Sequence, residues 1–129
     1  MENKKFTLSI LPEKLGICHL AATTPIPQWL EKAGFSSVTR TNEELSIVCS
    51  QQEIPGGVLF EKDWRAFKLE SIADGLYSAG IIVSLAKPLA EADISIFNIS
   101  TFQTNYILVE EKNLEKAKEI LSAFCELKE

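Results

Sequence analysis

Cys18 and His19 are the one place in this chain where a thiol and an imidazole adjoin, and His19 is the only histidine. A cysteine nucleophile needs a base within hydrogen-bond reach of its sulfur. The pair sits in the short apolar run Leu15 to Ala22, which reads as a strand, and strand neighbours point to opposite faces. It therefore reads as a buried thiol beside a surface or internally satisfied imidazole, and the chain is expected not to be an enzyme. One histidine, with Cys18, Cys49 and Cys125 far apart and no C-x-x-C, does not make a zinc site. Pro55-Gly56-Gly57 lacks the strand–loop–helix spacing and the lysine of a phosphate loop. The adjacent acids Glu43-Glu44 and Glu110-Glu111 diverge on strands instead of sharing a proton. Asp63, Glu70, Asp74 and Glu91 stand alone and read as solvated. No metal and no cofactor is expected.

A different chemistry is open to uncharged residues. Ser100, Thr101, Gln103, Thr104 and Asn105 offer donors and acceptors without net charge around one aromatic, Phe102. Such a loop at sheet ends can recognise a small zwitterion, its carboxylate on free N–H groups and its ammonium on carbonyls. A helix starting near Ser78-Ala79-Gly80 would add unpaired N–H groups and a positive dipole end, with Gly80 permitting close approach. The same residues also describe a plain polar turn and an ordinary helix start, and composition by itself favours that reading.

The elements that must position these residues follow from periodicity. Phe6, Leu8 and Ile10 alternate with Thr7 and Ser9 as a half-buried strand ended by Pro12. Leu15 to Ala22 is a second strand, and Pro27 suits the first turn of a helix that Gly34 would stop. Ser36 to Thr41 and Leu45 to Cys49 are strands around Thr41-Asn42-Glu43-Glu44. Gln51 to Asp63 is the least regular stretch and the expected boundary. Beyond it, Phe67 and Leu69 start a strand. Leu76 to Ala92 reads as a helix, bent or divided at Pro88. Ile94 to Ser100 and Tyr106 to Val109 read as strands, and a last amphipathic helix runs from Leu114 to Leu127.

Both halves thus read strand, helix, strand, polar loop, strand. Aligned on their last strands, Leu45-Ser46-Ile47-Val48 matches Tyr106-Ile107-Leu108-Val109, with Glu44 opposite Asn105 and one extra residue in the second loop. The expected fold class is α+β: two ferredoxin-like units of βαββαβ type with antiparallel sheets, spanning 1–62 and 63–129. Units so small bury little core alone, so they should be fused. The N-terminal strand is expected to be exchanged, completing the second unit's sheet.

Leu, Ile, Phe and Val supply 40 of 129 residues, too many for a disordered chain. A net charge of −5, with cations scattered along the sequence, argues against nucleic acid as a partner. The longest apolar stretch, Ala79 to Ala86, is far short of a bilayer span, so no membrane is expected. An odd cysteine count without clustering fits a reducing, cytoplasmic location.

T-N-E-E-L-S-I-V-C at Thr41 to Cys49, P-x-W at Pro27 to Trp29, S-A-G-I-I-V-S-L-A-K-P-L-A-E-A at Ser78 to Ala92 and I-S-I-F-N-I-S-T-F-Q-T-N-Y-I-L-V at Ile94 to Val109 carry a resemblance. The chain resembles the tandem ACT-domain proteins, small bacterial ACT pairs similar to those of cytosolic arginine sensors in animals. The resemblance implies two ACT units, a regulatory function, an amino acid or similar small ligand at an interface between units, and a homodimer. Carried over residue by residue, it places the ligand loops on Ser78, Ala79 and Gly80, and on Ser100, Thr101, Thr104 and Asn105. The family commonly has Asp at the last position. Asn105 offers the same acceptor without the charge, and charge-assisted bonds are roughly twice as strong as neutral ones. The alternative is a non-sensing interaction module with a degenerate ligand site.

Overall fold

The computed structural model describes residues 6–72 and 80–129. Among them run β1 (Phe6–Ile10), β2 (Leu15–Leu20), β3 (Ser36–Arg40), β4 (Leu45–Ser50) and β5 (Leu59–Ile72). Then come α1 (Ile81–Glu91), β6 (Ile96–Ser100), β7 (Asn105–Glu110), α2 (Leu114–Ser122) and β8 (Cys125–Lys128). They divide into two compact units: Glu13–Trp64, and Arg65–Glu129 with the N-terminal segment through Pro12.

In the first unit the strand order is β3, β4, β2, then the start of β5, all antiparallel. Leu45, Ile47 and Cys49 recur at period two on β4, and with Cys18 and Leu30 they form the buried cluster on one face. The helix expected from Pro27 is only a 3-10 turn, Gln28–Lys32, ending where Ala33 is extended. Between Pro27 and Gly34 there are too few residues to repay the cost of nucleating an α-helix, and 3-10 geometry suits such short pieces.

The stretch expected to be irregular carries the longest strand. Leu59–Trp64 closes the first sheet against β2, and Arg65–Ile72 pairs with β1 in the second unit. Between the pairs Ile17–Glu61 and Leu15–Trp64, Gly16 faces two residues, Lys62 and Asp63. That extra residue makes a bulge, and Asp63 within it adopts the left-handed conformation (φ 63°), which is found in only one class of bulge. Gln51 holds it there. Its Oε1 accepts from the Asp63 backbone N–H at 2.6 Å, and its Nε2 donates to Asp63 Oδ1 at 3.0 Å. That hydrogen bond, with the nearby Lys14 and Lys62, keeps the Asp63 carboxyl below its ordinary range.

The second unit contains β5–α1–β6–β7–α2–β8, the βαββαβ order. Its sheet runs β6, β7, β5, β1, β8. The N-terminal strand does join this sheet. It lies between β5 and β8, antiparallel to the first (Leu8 opposite Leu69) and parallel to the second (Phe6 opposite Cys125). The residues expected to prolong the last helix form β8 instead. α2 ends at Ser122, and Cys125 and Leu127 alternate with Glu126 and Lys128. The core joins Phe6, Leu8, Phe67 and Leu69 to Ile81, Leu85 and Leu89 of α1, Ile107 and Val109 of β7, and Leu114, Ala117 and Leu121 of α2. α1 is one helix with Pro88 inside it. Its stripe Ile81, Leu85, Leu89 anchors both sides of the proline, so burial outweighs the lost backbone bond. The expected start at Leu76 lies outside the described residues.

Candidate functional site

β6 and β7 pair as an antiparallel hairpin that ends with Ser100 opposite Asn105. The four residues between them close a tight turn. The Thr101 N–H donates to the Thr104 carbonyl at 2.8 Å, and Thr101 Oγ1 accepts from the Thr104 N–H at 3.1 Å. The Thr104 hydroxyl donates to the Leu69 carbonyl of β5. Thr104 is therefore a buried anchor, and it fixes the turn to the end of the sheet from which β5 departs toward α1.

Asn105, Ile107 and Val109 share a face by alternation, and Ile107 and Val109 pack in the cluster that α1 covers. Asn105 thus stands on the helix-bearing face, at its rim, together with its partner Ser100. The Ser100 hydroxyl donates to Asn105 Oδ1 at 2.7 Å and accepts from Asn98 Nδ2 at 3.1 Å. At the start of α1, Gly80 takes the N-cap position without any side-chain cap, and its carbonyl accepts from the Ser84 N–H at 2.8 Å. Phe102, at the tip of the turn, is fully exposed.

Of the residues expected at the site, Ser100 with Asn105 and Thr101 with Thr104 are brought together as two pairs. Gly80 is at the helix start as expected, and Ser78 and Ala79 lie outside the described residues. Asn98 was not anticipated. Its position two residues before Ser100, on the same face, was the available signal.

The hairpin β3–β4 has the same build. The Thr41 N–H donates to the Glu44 carbonyl at 2.9 Å, and Thr41 Oγ1 accepts from the N–H groups of Glu43 and Glu44 at 3.1 and 3.2 Å. Arg40 faces Leu45 as Ser100 faces Asn105. The two loops are equally long, which corrects the expected extra residue: Leu45, not Glu44, is the counterpart of Asn105. The alignment slipped because Leu45 is apolar and Asn105 polar at one structural position.

The other candidate chemistry separates as expected. Cys18 is 1% exposed in the first unit's core, while His19 lies on the outer face, 3.2 Å from Glu44. Cys18 shares a hydrogen bond with Cys49, and that bond, with burial, pushes the Cys49 thiol well up. A groove of about 390 Å³ is lined by Glu13, Lys14, Gln51 and Gln52. Ser50 already donates to Glu13, and Gln51 is engaged by Asp63. No cluster of three or more metal-ligating side chains occurs among the described residues, and no helix there is long and apolar enough to cross a membrane.

The family model described as "ACT domain" matches residues 59–123, and a model of an N-terminal domain matches residues 13–57. The human protein named cytosolic arginine sensor for mTORC1 subunit 1 is 29% identical over 105 residues, covering 78% of this chain and 32% of that protein. The chain thus spans about a third of the length of that curated relative. A crystallographically solved Agobacterium tumefaciens protein is 37% identical, with a TM-score of 0.89 over 97% of this chain and 93% of that one. The regulatory subunit of aspartate kinase from Thermus thermophilus shares the fold, with a TM-score of 0.64 at 10% identity over 95% and 99% of the two chains.

Proposed function

The chain belongs to the ACT-domain family, and from that premise we propose that it binds a small zwitterion, an amino acid, and regulates a partner instead of catalysing a reaction. The observation that carries this reading is the placing of Ser100 and Asn105 on the helix-bearing face of the second sheet. They sit beside a turn tied to the end of the strand that leads to α1. The ligand carboxylate is taken by the uncapped N–H groups of the first turn of α1, where the helix dipole is positive. The ligand ammonium is taken by the amide oxygen of Asn105 and by backbone carbonyls. The full site lies at an interface between ACT units of a cytoplasmic homodimer. Ligand shifts the assembly only as far as its affinity differs between the two arrangements.

Titration calorimetry with each of the twenty amino acids tests this reading. One or a few of them should release or absorb heat at up to millimolar concentration, and silence from all of them refutes it. Asn105→Asp should tighten binding up to about tenfold, since an ionised acceptor strengthens the hydrogen bond by roughly 1–1.4 kcal/mol.

A second reading, a pure assembly module with a degenerate site, draws support from the bond between Ser100 and Asn105, which occupies both side chains within the hairpin. It expects no binding by the wild type or by Asn105→Asp.

A further inference from the structure

In the first unit the row of residues beside the hairpin turn ends differently. Arg40 of β3 faces Leu45 of β4, which faces Leu20 at the end of β2. Leu45 is fully buried in the core of that unit, so the row lies on the core face, as Ser100 and Asn105 do in theirs. Ser100 keeps its hydroxyl within its own hairpin. Arg40 instead reaches the chain that leaves β2: its Nη1 donates to the Ala22 carbonyl, and its Nη2 donates to the Thr24 carbonyl at 2.7 Å.

We propose that the segment leaving β2 is a guanidinium-binding site that the chain fills with its own Arg40, and that removing this side chain opens it to free alkylguanidinium compounds. A guanidinium is planar and presents its donors as a fixed fork, which suits two acceptors held at a set spacing. The Ala22 and Thr24 carbonyls are such acceptors. The turn bond from the Thr24 N–H to the Ala21 carbonyl (3.0 Å) fixes their approach, and Pro25 and Pro27 stiffen the chain that follows. An ammonium, with one compact charge and no fork, matches the pair less well. The proposal deepens the reading above and rests on it for the correspondence of the two places: an external ligand in the second unit, an internal one in the first. It therefore expects one exchangeable ligand per chain and not two.

Thermal unfolding of the full chain tests it, with ethylguanidinium chloride as probe and ethylammonium chloride as control, both at tens of millimolar and equal ionic strength. Arg40→Ala should lower the Tm by ~3 °C or more through the loss of two charged hydrogen bonds. Ethylguanidinium should restore at least half of that loss in the variant, while the wild type stays unmoved and ethylammonium restores nothing. Equal responses of variant and wild type, or equal rescue by the two cations, overturns the proposal. Arg40→Ser, which copies the second unit, serves if the alanine variant does not fold. An amino-acid panel run on the wild type separates the two readings. If it is silent, the sensing reading falls, while the rescue result still decides the fate of the Arg40 site.

Discussion

Gly16 faces the β5 bulge from β2, and its lack of a side chain is used by two neighbours. A Cβ built there would lie 2.5 Å from Ile54 Cδ1 and 2.9 Å from Phe60 Cδ2, closer than real Cβ atoms approach. Both neighbours pack against the first unit's core. Gly16→Ala must push the Ile54 side chain from its place and shift the Phe60 ring. Overpacking of this kind costs about 1–3 kcal/mol, offset in part by ~0.5 kcal/mol because alanine loses less backbone freedom on folding. The expected net loss is about 1–2 kcal/mol, or roughly 4–8 °C in Tm for a chain of this size. Ile54→Val deletes Cδ1 alone, so the double variant should be more stable than additivity allows by ~1 kcal/mol, with the Phe60 contact keeping the recovery incomplete. Urea unfolding followed by tryptophan fluorescence measures all four corners of the cycle, with shifted midpoints and unchanged slopes. If Gly16→Ala lies within ~0.5 kcal/mol of wild type, or the two changes add without coupling, the close packing inferred at this bulge is wrong.

The Asp63 carboxyl is held below the ordinary aspartate range by its Gln51 hydrogen bond and the nearby lysines, so it adds stability above that range and loses it as pH falls through the range toward the folded value. Gln51→Leu removes the hydrogen bond that is the largest single cause of the lowering. The gap between urea midpoints at pH 7 and pH 3 should narrow, and an unchanged gap would show that Gln51 does not set this titration. Thr104→Val keeps the shape of the turn anchor but leaves the Leu69 carbonyl without its donor, at an expected cost of about 1–3 kcal/mol in urea unfolding. The same variant should loosen any amino-acid binding measured by calorimetry, and an unchanged stability would remove Thr104 as the anchor.

Where one signal dominated, the sequence was easy to read. β1 alternates cleanly, β4 is a short apolar run bounded by a polar turn, and both strands of the β6–β7 hairpin were legible down to the polar turn. β5 was hidden because its middle, Glu61-Lys62-Asp63, is charged and bulged, and that breaks the period-two pattern at the place where the strand passes from one unit to the other. β8 was hidden for the opposite reason. Phe124 and Leu127 extend the apolar stripe of α2, so a helical period fits where the chain has already turned, although Cys125 and Leu127 fit period two equally well. The turn residues Ser100, Thr101, Thr104 and Asn105 could be named from the sequence as one polar loop, but not the division of labour among them. That Thr104 is a buried anchor, and that Asn105 corresponds to a core leucine in the other unit, depends on sheet register, which residue order alone leaves free to slip by one.

The place of β1 between β5 and β8 sets the order in which the second unit can assemble during synthesis. β1 gains one neighbour when Arg65–Ile72 appears, and the other only when Cys125–Lys128 has been made. Until then its second edge is open, and Phe6 and Leu8 are incompletely covered. Contacts between such distant parts of a chain slow folding, so this unit spends its growth with an unclosed sheet, the condition in which partly made chains are most open to strand exchange with one another.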